Sequence, residues 1–223
     1  MLSGNLSHGA STSGSAPNCN QSKPRMAPRL ASACFLVAAL VIASGFQITI
    51  FQPRLTTLAP NKESQLTLLE AAAVEAAAAG SNVLVIPELY LTGYNLRAEF
   101  GAEVRGGPSY TRVQAMAVQH NVSILFTYPE KDPETGKIYD SAALLSRNGT
   151  SLADYRKVNL ATGEDIFLTP GTAFAPVVEL DGVRVGVLIC FDVFLPEPAR
   201  ILALQVRERS SLRLQRCQWC EMS

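Results

Sequence analysis

The stretch PNKESQLTLLEAAAVEAAAAGSNVLVIPE, residues 60–88, decides the fold class. Its first two thirds predict a helix, because Asn61 can cap the start, Glu63 favours the positive N-terminal end, and Gly80 can close the other end. The four consecutive apolar residues 83–86 follow, and they suit a strand that is covered on both faces. A helix that leads directly into such a strand indicates an α/β domain.

The rest of the chain continues this alternation. FQITIFQ (46–52) and VSILFTYPE (122–130) predict strands, and PSYTRVQAMAVQHN (108–121) predicts a helix. Asn148 with Gly149, and Asp181 with Gly182, are strong hairpin signals between apolar runs. PEPARILALQ (196–205) predicts another helix, since proline is tolerated in the first turn. The sequence therefore predicts a mixed α/β sheet with two hairpins.

Composition excludes several classes of function. Hydrophobic residues make up 48% of the 223, which is enough for a sizeable core. Lys plus Arg equals Asp plus Glu at 19 each, so the chain has no net positive charge that would attract nucleic acid. Five cysteines without regular spacing argue against a disulfide framework and favour a reduced, intracellular or organellar protein. Cys217 and Cys220 form a single C-x-x-C without a second ligand pair, and the two histidines, His8 and His120, lie far away, so no metal site is predicted.

Residues 1–45 differ from the rest and predict a leader. No acidic residue precedes Glu63, and the first 23 residues are rich in Ser, Gly and Asn. Three interpretations stay open: an organelle transit peptide, a secretory signal that starts at Met26, or a disordered extension of a cytoplasmic protein. The apolar stretch 33–43 is short for a transmembrane helix, so membrane contact of the leader stays open too.

Three reactive side chains follow apolar strands: Glu88, Lys157 and Cys190. Strand ends in open α/β sheets form the crevice in which ligands bind. A thiolate is a nucleophile, a carboxylate in a dry pocket can accept the thiol proton, and an ammonium stabilises developing negative charge. The backbone N–H of Phe191 would be a second donor to that charge. Each residue also has a purely structural interpretation. Cys190 would be a small buried hydrophobic side chain, Glu88 a solvated acid in a loop, and Lys157 the exposed end of a hairpin.

The segments around these residues resemble the nitrilase superfamily, the carbon-nitrogen hydrolases. NVLVIPELYLTGYN, LADYRKVNL and GVLICFDVFLPEPARILALQ resemble three segments of the family, in the family's order. The resemblance implies that Glu88 is the general base, Lys157 the catalytic lysine and Cys190 the nucleophile. It implies an α-β-β-α unit that pairs into a four-layer sandwich, with homo-oligomers among full-length relatives.

Further site residues also follow from the resemblance. Glu164 is the expected second acid after the lysine, with Asp165 as the alternative. Tyr94 and Asn95 are expected to line the substrate pocket. Asp192 is expected to brace the turn around Cys190 rather than to react.

The resemblance also implies a substrate class. Nitrile-hydrolysing members carry Trp-Glu after the cysteine, whereas Phe191 and Asp192 stand here, as in the amidase and carbamoylase branches. We therefore expect a small-molecule amide or carbamoyl substrate and neither a metal nor an organic cofactor. Alternatives are nitrile hydrolysis, acyl transfer, and an inactive truncated homologue or interaction fragment.

The sequence suggests three regions: the leader, a partial carbon-nitrogen hydrolase domain over 46–205, and a tail over 206–223. The tail VRERSSLRLQRCQWCEMS has four arginines and no glycine, unlike the family. This contrast predicts a truncated or frame-shifted product that lacks the C-terminal part of the sheet. Such a chain would expose apolar strand surface, so we expect low stability and weak or no activity when it is alone.

Overall fold

A five-stranded mixed sheet forms the centre of the molecule. The computed structural model describes residues 45–53, 61–94 and 101–206. Strands β1, β2 and β3 are parallel, and β3, β4 and β5 continue antiparallel in the order β1-β2-β3-β4-β5. The strands span Ile48–Ile50 (β1), Val83–Val85 (β2), Ser123–Lys131 (β3), Ile138–Leu145 (β4) and Ser151–Arg156 (β5).

Two helices cover one face of this sheet. Helix α1 spans Lys62–Ala78 and α2 spans Pro108–Gln119. The Asn61 side chain accepts a hydrogen bond from the backbone N–H of Ser64, which confirms the predicted cap. Two of the three predicted helices are therefore present on this face of the sheet. Their buried side chains pack against one side of β2 and β3; the contacting set includes Leu66, Leu69, Ala73, Val113, Met116, Leu84, Ile86, Ile124 and Phe126.

A second, two-stranded sheet covers the opposite face. It consists of β6 (Val178–Leu180) and β7 (Val183–Val185), which pair antiparallel. Asp181 and Gly182 form the turn with φ values of 49° and 80°, so both have the positive φ that a type I′ hairpin requires. The predicted hairpin is confirmed, and its inward side chains pack with Val85, Leu125 and Leu144.

One strand is shorter than expected. The apolar run 183–189 predicts a single strand that ends at Cys190, but β7 ends at Val185. Its antiparallel partner β6 has only three residues, and Val185 pairs with Val178, the first of them, so the ladder ends there. The run nevertheless keeps the alternation of a strand. Val187 and Ile189 face the five-stranded sheet, whereas Leu188 contacts Leu202 on the other side.

The layers follow the order α-β-β-α. Leu202 belongs to a helix over residues 196–206, which covers the outer side of the 183–189 segment. The backbone of Gly186 contacts the same side chain, since a Cβ at this position would lie 2.8 Å from a Leu202 methyl carbon. The layer order expected from the resemblance is therefore present. Within the described ranges no helix has the length and hydropathy to cross a bilayer. Most of the predicted leader, and the tail beyond residue 206, lie outside these ranges.

Candidate active site

Lys157 lies at the centre of a buried cluster of carboxyl groups. It follows β5 directly, and its backbone N–H donates to the carbonyl of Asp140 on β4 at 2.8 Å. Its side chain is fully buried. The Nζ atom lies 2.5 Å from Glu88 Oε1, 2.8 Å and 3.0 Å from the two oxygens of Glu164, and 3.5 Å from Asp140 Oδ2. Strand pairing therefore brings Glu88 and Asp140 from distant parts of the chain to the ammonium, whereas Glu164 follows Lys157 by seven residues.

The charge of Lys157 is maintained by these acids. Burial acts to lower the pKa of Lys157, but the charges of Asp140 and Glu88 and the hydrogen bonds with Glu164 and Glu88 outweigh it. The net effect raises the pKa of Lys157. The side chain is therefore a fixed positive charge and has no role as a proton acceptor at neutral pH.

Glu88 is held in place by a turn that follows β2. The turn covers residues 88–92, and Glu88 itself is 4% exposed. Tyr90 anchors it, since its hydroxyl donates to the carbonyl of Gln65 on α1 at 2.8 Å and its N–H donates to Thr127 on β3 at 3.2 Å. Leu89, next to the acid, has a φ of 48°, which is unusual for a bulky residue. The packed turn therefore holds a strained backbone directly beside Glu88.

Cys190 begins a short 3₁₀ helix over Cys190–Phe194 instead of ending a strand. It also has a positive φ, 41°, and its side chain is half-buried. Burial, the charge of Glu88 and a hydrogen bond with Glu88 raise the pKa of the Cys190 thiol to about 12, against the opposite effect of Lys157. The group is therefore a neutral thiol at pH 7, and it needs a base to become a nucleophile.

Asp192 braces this turn. Its carboxylate accepts the backbone N–H of Ile189 at 3.1 Å, the N–H and side-chain amide of Asn159 at 3.0 Å and 2.8 Å, and the hydroxyl of Tyr155 at 2.6 Å. The side chain is fully buried. Asp192 thus has the bracing contacts expected of it, and it joins the cysteine turn to the segment that carries Lys157.

Of the two candidates for the second acid, Glu164 lies in the cluster. It begins a 3₁₀ helix over Glu164–Ile166 and is 1% exposed, whereas Asp165 is exposed. Burial opposes its ionisation, but hydrogen bonds from Lys157, Tyr94 and the N–H of Ala161 outweigh burial and lower the pKa of Glu164. Glu164 is therefore an ionised partner of Lys157.

The other predicted site residues are Tyr94, Phe191 and Asn95, and the structure describes the first two of them. The Tyr94 hydroxyl donates to Glu164 Oε1 at 2.5 Å, and its ring is 42% exposed, so Tyr94 borders the cluster. Phe191 follows the thiol and stacks on Phe194, with 5.7 Å between ring centroids. Asn95 lies outside the described residues. No group of three or more His, Cys, Asp or Glu side chains suited to a metal ion occurs within the described ranges.

Sequence reasoning missed Asp140 and the partners of Asp192. Asp140 is the single charged residue of strand β4, IYDSAALL, and it is fully buried. An acid within an otherwise uncharged strand was the available signal, because a buried carboxyl group needs a partner. Tyr155 and Asn159 carried no such signal, since both residue types are common at strand ends and in loops.

The sequence matches the carbon-nitrogen hydrolase family over residues 45–208. Among curated proteins, it is 40% identical over 139 residues to a hydrolase of Pseudomonas protegens encoded in the pqqF 5′ region, covering 57% of this chain and 46% of that protein. It is 35% identical over 134 residues to an (R)-stereoselective amidase of a Pseudomonas species, covering 59% and 47%. The chain thus spans about half the length of these relatives.

Solved structures with a similar fold include an amidase of Nesterenkonia sp. AN1. The TM-score is 0.61 at 27% identity, over 70% of this chain and 61% of that one. A variant of the same amidase, in which acrylamide has added to the active-site cysteine, matches with a TM-score of 0.62 at 26% identity, over 70% and 61%. The family match covers most of the described chain and includes the three acids of the cluster, Lys157 and Cys190. This protein belongs to the carbon-nitrogen hydrolase family of the nitrilase superfamily.

Proposed function

We propose that this protein hydrolyses a small amide or carbamoyl compound through a cysteine thioester. The observation that carries the proposal is the juxtaposition of three groups with complementary chemistry. Glu88 contacts the Lys157 ammonium at 2.5 Å, and it lies close enough to the half-buried Cys190 thiol for its charge to raise the pKa of that thiol. A base, a cation and a nucleophile at one edge of a buried cluster are what acyl transfer requires.

In the first half of the reaction, Cys190 Sγ attacks the amide carbonyl carbon. The thiol proton passes to Glu88 as the S–C bond forms, because the raised pKa of Cys190 disfavours a free thiolate. The carbonyl oxygen becomes an oxyanion, which the charge of Lys157 and the backbone N–H of Phe191 stabilise. Glu88 then returns the proton to the leaving nitrogen, the C–N bond breaks, and ammonia or an amine departs from a thioester.

In the second half, water attacks the thioester carbon and Glu88 takes a proton from it. The S–C bond breaks, the proton returns to Cys190, and a carboxylic acid leaves. The net reaction consumes one amide and one water and yields one acid and one ammonia or amine. Glu88 acts twice as a base and twice as an acid, so its carboxylate must stay close to both the thiol and the leaving group.

The family relatives support an amide substrate over a nitrile. Besides the (R)-stereoselective amidase, they include N-carbamoylputrescine amidases of Solanum tuberosum and Arabidopsis thaliana and a citrullinase of Francisella tularensis, all at 27–32% identity. Relatives named nitrilase also match, at 36% identity. Phe191 and Asp192 after the thiol favour the amidase branch, and Asp192 is engaged in bracing the turn.

The nucleophile is tested by mass spectrometry of the full chain after brief treatment with iodoacetamide. We expect Cys190 to be alkylated in wild type and more slowly in Glu88→Gln, because the variant lacks the base. The exposed acid Glu134 provides the matched control, and Glu134→Gln should behave as wild type. Labelling of the other cysteines with Cys190 untouched would contradict the assignment.

The reaction is tested by ammonia release from matched amide and nitrile pairs. Cys190→Ala should abolish release, and Lys157→Met should lower kcat by about 10²–10³-fold, as loss of an oxyanion donor does in comparable sites. The exposed Lys137 supplies the control, since Lys137→Met should retain wild-type rates. Faster release from nitriles would overturn the amide assignment. A folded protein that is alkylated at Cys190 but releases no ammonia would favour a non-catalytic homologue.

A further inference from the structure

A fourth ionisable group, Asp140, lies in the cluster and has no part in the proposed chemistry. It is the third residue of β4, directly before the Ser141–Arg156 pair at one end of the β4–β5 ladder, and its side chain is fully buried. Asp140 Oδ2 lies 3.5 Å from Lys157 Nζ but does not accept a hydrogen bond from it. Among the described residues, no donor reaches either carboxyl oxygen of Asp140, and the same holds for Oε2 of Glu88.

The charges of the cluster do not balance if all its acids are ionised. Lys157 carries one positive charge and contacts three carboxyl groups, those of Glu88, Glu164 and Asp140. Full ionisation would leave two uncompensated negative charges in a region that solvent does not reach. Such burial is strongly unfavourable, and the ordinary remedy is that one group binds a proton.

Asp140 is the acid that best accommodates this proton. Glu164 accepts hydrogen bonds from Lys157, from Tyr94 and from the N–H of Ala161, all of which favour its carboxylate. Glu88 accepts a short hydrogen bond from Lys157. Asp140 has no donor to stabilise a carboxylate, and as a carboxylic acid it becomes a donor for Glu88, whose second oxygen also lacks one.

The electrostatics of the site agree with this placement. Burial, followed by the negative charge of Glu88 and a hydrogen bond to it, raises the pKa of Asp140 well above its usual range, although Lys157 acts in the opposite direction. The titratable groups that interact with Asp140 from the neighbouring elements are Glu88, Lys157, Glu164 and Tyr155.

We propose that Asp140 is a positioning residue of the proposed hydrolase site: a neutral carboxylic acid that donates a hydrogen bond to Glu88 and holds that carboxylate toward Cys190. This inference rests on the proposed function. Lys157 binds one oxygen of Glu88 and Asp140 binds the other, so the base is oriented from two sides. The proton on Asp140 also limits the net charge of the cluster to −1, which leaves Glu88 as the group that exchanges protons with the thiol.

The test compares two replacements of Asp140 in the full chain. Asp140→Asn keeps the shape and an N–H donor and is always neutral, so it imitates the protonated acid. Asp140→Leu keeps a similar size but has no donor. We measure the rate of Cys190 alkylation by iodoacetamide, kcat and KM for ammonia release from an amide, and the infrared carbonyl stretch of protonated carboxyl groups at neutral pH. Circular dichroism and Tm monitor folding.

The proposal requires opposite behaviour of the two variants. Asp140→Asn should stay within about threefold of wild type, whereas Asp140→Leu should lose at least about tenfold in alkylation rate and in kcat, with a smaller change in KM. The protonated-carboxyl band should be present in wild type and absent from Asp140→Asn. An equal loss in both variants, together with no such band in wild type, would show that Asp140 is an ionised partner of Lys157 and would overturn the proposal.

Two of these measurements do not depend on turnover. If wild type shows the band and reacts with iodoacetamide at Cys190 as fast as Asp140→Asn and faster than Asp140→Leu, but releases no ammonia from any amide, the proposed function fails while the role of Asp140 stands. If ammonia is released by wild type and by Asp140→Leu at equal rates, the proposed function stands and the role of Asp140 fails.

Discussion

The Tyr155 hydroxyl donates to Asp192 Oδ2 at 2.6 Å and joins strand β5 to the turn that carries Cys190. Tyr155 is also the acceptor for the backbone N–H of Val158, directly after Lys157. The lysine and the cysteine are therefore connected through one buried network, independently of Glu88. Any substitution that removes hydrogen bonds of Asp192 should therefore disturb the positions of both Lys157 and Cys190.

Asp192→Asn should destabilise the fold by about 3 kcal/mol. Each carboxylate oxygen of Asp192 accepts two hydrogen bonds, so the NH₂ group of an asparagine would face two donors in either orientation of the amide. Urea unfolding at neutral pH measures the change. Asp165→Asn is the control, since Asp165 is exposed and its replacement should cost less than about 0.5 kcal/mol. Equal stability of Asp192→Asn and wild type would show that the network is not required.

Gly171→Ala should destabilise the protein by about 1–3 kcal/mol through overpacking. A Cβ at this position would lie 2.2 Å from the carbonyl oxygen of Arg156, and the N–H of Gly171 donates to the carbonyl of Lys157 at 2.7 Å. The backbone that carries the lysine would have to move. Thermal unfolding and the alkylation rate of Cys190 report on this movement. The exposed neighbour Thr172 offers the comparison, and Thr172→Ala should leave both measurements unchanged.

Tyr94→Phe should shift the titration of Glu164 toward higher pH. The Tyr94 hydroxyl donates a hydrogen bond that contributes to the lowered pKa of Glu164, so its removal makes that pKa less depressed. The stability cost should be about 1 kcal/mol or less, because Tyr94 is 42% exposed and Glu164 keeps its bonds with Lys157 and Ala161. Carboxyl-carbon NMR of the labelled protein follows the titration, and an unchanged midpoint would contradict the assigned contact.

Acidification should destabilise the protein through Glu103 and Glu130. Burial opposes their ionisation, but hydrogen bonds with Lys62 and Arg156 outweigh it and lower both pKa values below 4.5. Groups with a lowered folded pKa contribute stability that is present above the unfolded value and is lost as the pH falls through the folded value. Urea unfolding should therefore show that the free energy of unfolding decreases as the pH is lowered from about 5 to about 3.

Glu130→Gln identifies the source of this loss. The variant is less stable than wild type at pH 7, because Arg105 and Arg156 lose their buried partner. It should lose less further stability than wild type as the pH is lowered, since one titrating group is gone. Glu134→Gln, on an exposed turn, should parallel wild type at every pH. A slope for Glu130→Gln that equals the wild-type slope would assign the acid sensitivity to other carboxylates.

Local chemistry in the sequence determined most of the fold. The cap at Asn61 and the turn at Asp181 and Gly182 act over a few residues, so their signals are readable without tertiary information. The order of the elements and the doubly buried β2 then imply a mixed α/β sheet, and three family-like segments implied the layers that the structure has. Glu88, Lys157 and Cys190 are recognisable as candidate site residues because each follows an apolar run at a strand end.

Only the tertiary structure decided which side chains meet and in which state. Glu88 and Lys157 are 69 residues apart, and strand pairing rather than sequence spacing places them 2.5 Å from each other. The end of β7 at Val185 depends on the length of its partner β6, which the apolar run 183–189 does not encode. The significance of Asp140 depends on its complete burial beside a cation and a second acid. Residue types and local order can be read from a sequence, whereas burial and charge compensation are properties of the assembled fold.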